Sequence, residues 1–252
     1  EEKKARLRKE VVALINAGKI SKALQRVTSC GVASVEDPAV LAILQSKYPA
    51  RGRPLPARVS RGQCVDNLAG LRDSLLKLEA GVSPGTGGMK AEYLTVLAQR
   101  MDDEEMAMME EFGMKYLNGD LPAWFYPVWL TVQTVPLYKT AQQNTLRPIG
   151  VRNPLLKIWH REVVQQNKVE LKTFLEPQQI ASSEAGAAKL VMSVRSLIEQ
   201  NREWVVFKLD LANAFNENAR AAVIETLEAE PTLKHLAWFA ATVLAPYSGL
   251  ET

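Results

Sequence analysis

Cysteine is scarce in this chain. Its 252 residues hold two, Cys30 and Cys64, too few for a disulfide framework or a four-cysteine zinc site. That usage suits a reducing compartment and predicts an intracellular protein. Histidine is equally sparse: His160 and His235 are the only two, and no nucleophile–histidine–carboxylate set can be assembled around them. No apolar run approaches the roughly 18 residues of a membrane span. The longest apolar block, residues 121–137, is broken by Pro122, Pro127, Thr131, Gln133, Thr134 and Pro136, so no membrane is expected as a partner. An apolar signal segment is also missing, because the chain opens Glu1-Glu2-Lys3-Lys4. With no initiator Met and no capping signal at Glu251-Thr252, the sequence reads as a piece of something longer.

What is present is ordinary globular composition. At 47% hydrophobic and 23% charged residues, the chain can bury a sizeable core, as one large domain or two small ones. A net charge of +3 excludes histone-like coating of DNA but leaves room for local basic patches. Such patches exist. Residues 1–80 carry 15 Lys and Arg against 8 Asp and Glu, residues 81–120 carry 3 against 8, and residues 139–172 carry seven against two. Two basic zones thus flank an acidic helix.

Apolar spacing and breakers predict short helices over 3–17, 21–27, 38–45 and 64–78, the third opened by Asp37-Pro38. Gly81-Val-Ser-Pro-Gly-Thr-Gly-Gly88 has four glycines and one proline in eight residues and predicts a tight loop before a helix over 89–100. Residues 103–118 predict an acidic helix whose Met106, Met109, Phe112, Met114 and Leu117 fill core. Asp102-Asp103 at its start suits the helix dipole. Val132, Thr134, Val135 and Tyr138 mark a strand within 129–139, placed at a sheet edge by Pro136. Gln142-Gln-Asn144 is a turn and 146–151 the returning strand, giving a hairpin. Helices are expected from Pro154, over 183–200, over 218–228 and over 231–244. Residues 203–211 alternate as a strand: Val205, Phe207, Leu209 and Leu211 on one face, Val206, Lys208 and Asp210 on the other. The five tryptophans between 124 and 238 read as core, with Trp204 a stacking alternative.

Asp210, at the end of this apolar strand, stands where a hard cation can be held by a carboxylate together with substrate phosphates; alternatively it caps a turn. The segment Lys208-Leu-Asp-Leu-Ala-Asn-Ala-Phe-Asn216 resembles the first catalytic motif of reverse transcriptases. Val135-Pro-Leu-Tyr-Lys139, a loop and Leu146-Arg-Pro-Ile-Gly150 resemble the fingers hairpin of the non-LTR retrotransposon type. Ser83-Pro-Gly-Thr-Gly-Gly88 with Glu92-Tyr93-Leu94 is similar to the glycine-rich segment ahead of those fingers, with Thr86-Gly87 in place of Pro-Asp. It is not a P-loop, since no Gly-Lys-Ser/Thr closes it. Pro177-Gln-Gln-Ile-Ala181 stands where many family members carry Gln-x-Gly-Phe.

The resemblance implies an RNA-directed DNA polymerase with RNA template, DNA primer and deoxynucleoside triphosphate as partners. Asp210 would bind catalytic Mg²⁺, Lys139 and Arg147 the triphosphate, and Phe215 would pack beneath the sugar. Positioned cations are what a phosphoryl-type transition state needs. Arg152, Lys157 and Arg161 would line the template path, against an equally bland reading as a solvated face. The expected fold is α+β and helix-rich: a helical extension over 1–80, fingers-like residues 81–200, and a partial palm over 201–252. The family's paired-aspartate turn is missing from this sequence. One carboxylate cannot clamp two metals, so the chain is expected to be inactive by itself and to need the rest of palm and thumb. The alternative is a degenerate, non-catalytic nucleic-acid-binding relic of a retroelement. A purely helical interaction protein is a third reading, and it requires that 130–151 form no hairpin.

Overall fold

In a computed structural model, residues 2–48, 54–139, 145–176, 178–180, 183–210 and 214–244 are described. The chain forms two compact units: Glu1–Tyr48 with Thr134–Gly150, and Pro49–Gln133 with Val151–Thr252. Both belong to a helix-rich α+β chain whose one sheet, among the described residues, is a two-stranded hairpin.

In the first unit, helices α1 (Glu2–Asn16) and α2 (Ile20–Thr28) pair back to back. Gly18, at φ +70°, turns the chain between them. Glu10 receives Arg26 at 2.8 Å and Arg6 at 3.1 Å. The two guanidinium groups hold its carboxyl below the usual range, Arg26 contributing most. Asp37 caps α3 (Pro38–Ser46) by accepting from the Ala39 amide, with Pro38 at the first helical position. Val40 and Leu44 of α3 pack with Ala33, Leu146 and Tyr138 against the hairpin of β1 (Gln133–Tyr138) and β2 (Leu146–Val151). This hairpin removes the purely helical reading.

Pro136 lies in β1, an edge strand of the two-stranded sheet, as expected. The outer side of β1 is covered: the Ala33 amide donates to the Pro136 carbonyl at 2.9 Å, and the Tyr138 amide to the Gly31 carbonyl at 3.1 Å, around an antiparallel bridge of Val32 with Leu137. A proline fits this position because only its carbonyl is used.

The second unit is built on α4 (Leu71–Leu76), α5 (Ala91–Arg100), α6 (Asp103–Leu117), α7 (Phe125–Trp129), α8 (Pro154–Gln166) and α9 (Lys168–Leu175). Continuing are α10 (Gly186–Gln200), α11 (Ala214–Glu217), α12 (Arg220–Ala229) and α13 (Ala237–Leu244). Its core joins Leu71 and Leu75 of α4, Leu94 of α5, Met106, Tyr116 and Leu117 of α6, and Leu155, Trp159 and Val163 of α8. Asp102 not only suits the dipole of α6 but caps it, in a reciprocal capping box with Glu105. Gly113 lies inside α6 because Trp159 leaves no room for a side chain: a Cβ there would stand 2.6 Å from Leu68 Cδ1 and 2.7 Å from Trp159 Nε1.

Residues 64–70 are not helical, contrary to expectation. Their backbone is claimed by the end of α8 instead. Gln166 accepts from the Asp66 amide at 2.9 Å and donates to the Asn67 carbonyl at 2.8 Å. Asn167, buried, donates to the Cys64 carbonyl at 2.7 Å. The Asn67 side chain takes the Ala69 amide at 3.1 Å, a local turn that competes with helix.

A second expectation fails at 203–211. Residues 203–210 belong to no strand and pair with no other segment among the described residues. Phe207 is 85% and Leu209 88% exposed. The amphipathic α10 just before it forms as its spacing predicts, yet Leu190, Val191, Leu197 and Ile198 face solvent. Alternation sets a segment's faces, but a strand needs a neighbour to bond. The tryptophans divide too: Trp159 is fully buried, whereas Trp124 and Trp204 are exposed.

His160 donates to or accepts from the Tyr116 hydroxyl at 2.7 Å and meets the Phe239 ring edge-on. Burial, aided by the nearby Arg152, pushes its pKa down to about 4. The unfolded chain, near 6.5, takes up a proton that the folded chain refuses. Stability is therefore constant above pH 6.5 and falls as pH drops toward 4. Urea unfolding should show about 2 kcal/mol lost to this residue between pH 7.5 and 5, a loss absent in His160→Phe. Unfolding should also report Gly113→Ala: about 1–2 kcal/mol destabilisation, overpacking outweighing the gain in helix propensity. Gly87→Ala, with nothing within 4 Å of its Cβ, should be near neutral.

Candidate functional site

The hairpin places two of the sequence-derived residues together. Both strands have six residues, and the Lys139 amide donates to the Thr145 carbonyl at 2.9 Å. That bond sets Lys139 opposite Thr145, hence Leu137 opposite Arg147 and Pro136 opposite Pro148. Directly opposed residues share a face. Lys139 and Arg147 thus lie on one side as diagonal neighbours, about 7–8 Å apart along the sheet. The other side, with Pro136, Tyr138 and Leu146, packs on α3. Lys139 and Arg147 are exposed, and neither has an ion-pair partner among the described residues. Pro148 points its missing donor at the open edge of β2, where an unpaired amide would otherwise invite another strand.

Arg152, Lys157 and Arg161 belong to the second unit, at the start and along the outer side of α8. Asn153 caps that helix by accepting from the Leu155 amide at 2.9 Å. Leu155, Trp159 and Val163 bury the inner side, which leaves Lys157 and Arg161 exposed; Arg152 is half-buried.

The glycine-rich loop meets this helix start, a juxtaposition the sequence did not foretell. Gly85 is buried at φ +74°, and a Cβ on it would stand 2.7 Å from the Arg152 carbonyl carbon and 2.8 Å from the Asn153 nitrogen. The loop is braced on both sides. Glu92 accepts from the Gly81 amide at 2.7 Å, the bond that chiefly holds its carboxyl below the usual range. The Thr86 hydroxyl donates to the Thr131 carbonyl at 3.2 Å. Gly87 and Gly88 have nothing within 4 Å of where a Cβ would sit. The signal for this contact was there in the density of glycines, though not its partner.

Asp210 is exposed at the end of the unpaired segment, in the second unit, whereas Lys139 and Arg147 are in the first. Phe215 lies in α11, and its side chain is outside the described residues. Gln142-Gln-Asn144, Pro177 and Ala181 also lie outside them. Among the described residues no three His, Cys, Asp or Glu side chains gather as a metal-holding group. These residues do not by themselves fit a Mg²⁺ pair, which needs several carboxylates. Burial lifts the Cys64 thiol to about 12 and pushes the His160 imidazole down to about 4, so both are uncharged at neutral pH. No described helix is long and apolar enough to cross a membrane. Comparison with protein-family models, with curated proteins and with solved structures finds no match.

The loop's seat on α8 yields a prediction. Gly85→Ala combines a disfavoured positive φ with a backbone clash, and should destabilise the chain by about 2 kcal/mol or more. Hydrogen exchange should then speed up at Thr86 through Gly88 and at the Leu155 amide.

Proposed function

We propose that this chain is part of an RNA-directed DNA polymerase of the non-LTR retrotransposon type. It carries the triphosphate-binding hairpin and the first metal-binding aspartate. The observation that carries the reading is the hairpin register, which aims Lys139 and Arg147 from one open face. A triphosphate carries about four negative charges, and two neighbouring cations suit it: Arg147 as a bidentate clasp, Lys139 as a point charge. The open loop at Gly87-Gly88 beside Arg152, with Lys157 and Arg161 beyond, supports a path for template and primer backbone. Phe215 is read as packing beneath the nucleotide sugar.

The unpaired segment ending at Asp210 supports the same reading. Val205, Phe207 and Leu209 are apolar on a face that nothing described covers. They suit a strand of a palm whose other strands, with the thumb, come from the remainder of the enzyme. Asp210 is read as one ligand of a Mg²⁺ site completed by carboxylates from there.

The second reading is a non-catalytic nucleic-acid-binding relic, favoured by the lack of grouped carboxylates among the described residues. The two differ at the hairpin. In the full-length enzyme, Arg147→Ala should raise the nucleotide KM or depress incorporation at least tenfold, about 1.4 kcal/mol. Unchanged primer-extension kinetics would remove the triphosphate assignment. The relic would retain salt-dependent RNA affinity while neither parent nor variant extends a primer.

A further inference from the structure

The helix pair α1–α2 buries almost nothing of its own. Ala23 is its one buried residue among the described residues, although both helices carry apolar stripes. Glu10 and Arg26, joined at 2.8 Å, each lie eight residues from Gly18, as two antiparallel helices around a short turn require. That ion pair, with Arg6 also on Glu10, marks one side of the pair. At about 100° per residue, Val11 and Ile15 of α1 and Ile20, Leu24 and Val27 of α2 come out together on the other side. Val11 is half-buried, and the remaining four are between 48% and 63% exposed. They line an apolar groove between the two helices that stays open among the described residues.

The charge beside this groove has one sign. The same helical spacing puts Lys4 and Arg8, both exposed, along its α1 rim and turns Glu2 and Glu10 away from it. Residues 1–28 hold eight Lys and Arg against three Asp and Glu. A second copy seated face to face would bring the Lys4 and Arg8 cations of both chains into one seam, where like charges repel. An anionic membrane would meet the cations, but helices that lie in a membrane surface are anchored by Trp and Phe among their apolar residues, and residues 1–47 contain no aromatic residue. Ile20, Leu24 and Val27, spaced i, i+4 and i+7, instead make a ridge of the kind that packs against another helix.

We propose that the groove receives an acidic amphipathic helix of a partner protein, completing a three-helix bundle. The partner's apolar stripe sits on Ile15, Ile20, Leu24 and Val27, and its carboxylates run beside Lys4 and Arg8. Apolar anchors supply the affinity of such helix-in-groove docking, and the flanking charges select the partner and its orientation. The inference stands apart from the polymerase reading, since Lys139, Arg147 and Asp210 take no part in it.

The test is fluorescence anisotropy of the full chain with a labelled helical peptide of three heptads, leucine at a and d and glutamate at e and g. A twin peptide carries lysine at e and g. The glutamate peptide should bind, more weakly as salt rises, and the lysine twin should not. Leu24→Gln, at a position already exposed, should keep the parent's circular dichroism yet weaken binding about tenfold. Arg8→Gln should weaken it several-fold and flatten the salt dependence, whereas Lys9→Gln, on the side away from the groove, should change neither. Equal binding of the two peptides, no binding of either, or an unchanged affinity in Leu24→Gln overturns the proposal. So does a loss in Lys9→Gln equal to that in Arg8→Gln, which would reduce the attraction to diffuse charge. Light scattering that finds a dimer made monomeric by Leu24→Gln would give the groove to a second copy. Capture of the parent but not of Leu24→Gln by phosphatidylserine vesicles, with no peptide binding, would give it to a membrane.

Discussion

Trp159 of α8 rests on Gly113 of α6, and the second unit is organised around that contact. Glycine is required there because indole and Leu68 occupy the place a Cβ would take. The indole also meets the rings of Phe112 and Tyr116. With the inner side of α8 held this tightly, its outer side has one orientation, and the exposure of Lys157 and Arg161 follows from it. Asn167 and Gln166 at the helix end then take the backbone of residues 64–67. The core and the candidate nucleic-acid surface are two sides of one helix.

The first unit solves a different problem. A two-stranded hairpin alone is marginal in water. Here one side packs on α3, one edge is paired by residues 31–33, and the other edge is blunted by Pro148. What remains free is the side that displays Lys139 and Arg147. Those cations stay available because the hairpin spends its other surfaces on stability.

Residues 186–210 depart from both patterns. An amphipathic helix and an alternating apolar segment follow one another with their apolar sides open. Burying side chains such as Phe207 and Leu209 is worth about 1.5–3 kcal/mol each, a strong drive toward any sheet that can accept them. The helical part follows its local pattern, the alternating part forms no strand, and neither buries its apolar side among the described residues.

Much of the architecture was legible in the residues themselves. Asp37-Pro38, Asp102-Asp103 and Pro154 announce helix starts because such signals act within a few bonds of where they sit. The hairpin was legible because two β-prone segments flank a polar stretch, and Lys139 and Arg147 were singled out by the resemblance of those segments to a fingers hairpin. Other features were decided only in three dimensions. Residues 64–70 lost their helix to side chains a hundred positions away, and Pro136 gained a neighbour from residues 31–33. Gly85 found its seat against Arg152, and the segment before Asp210 found no strand to bond. The physical reason is common to all four: capping and periodicity act along the chain, whereas a backbone amide takes whichever acceptor the fold brings to it.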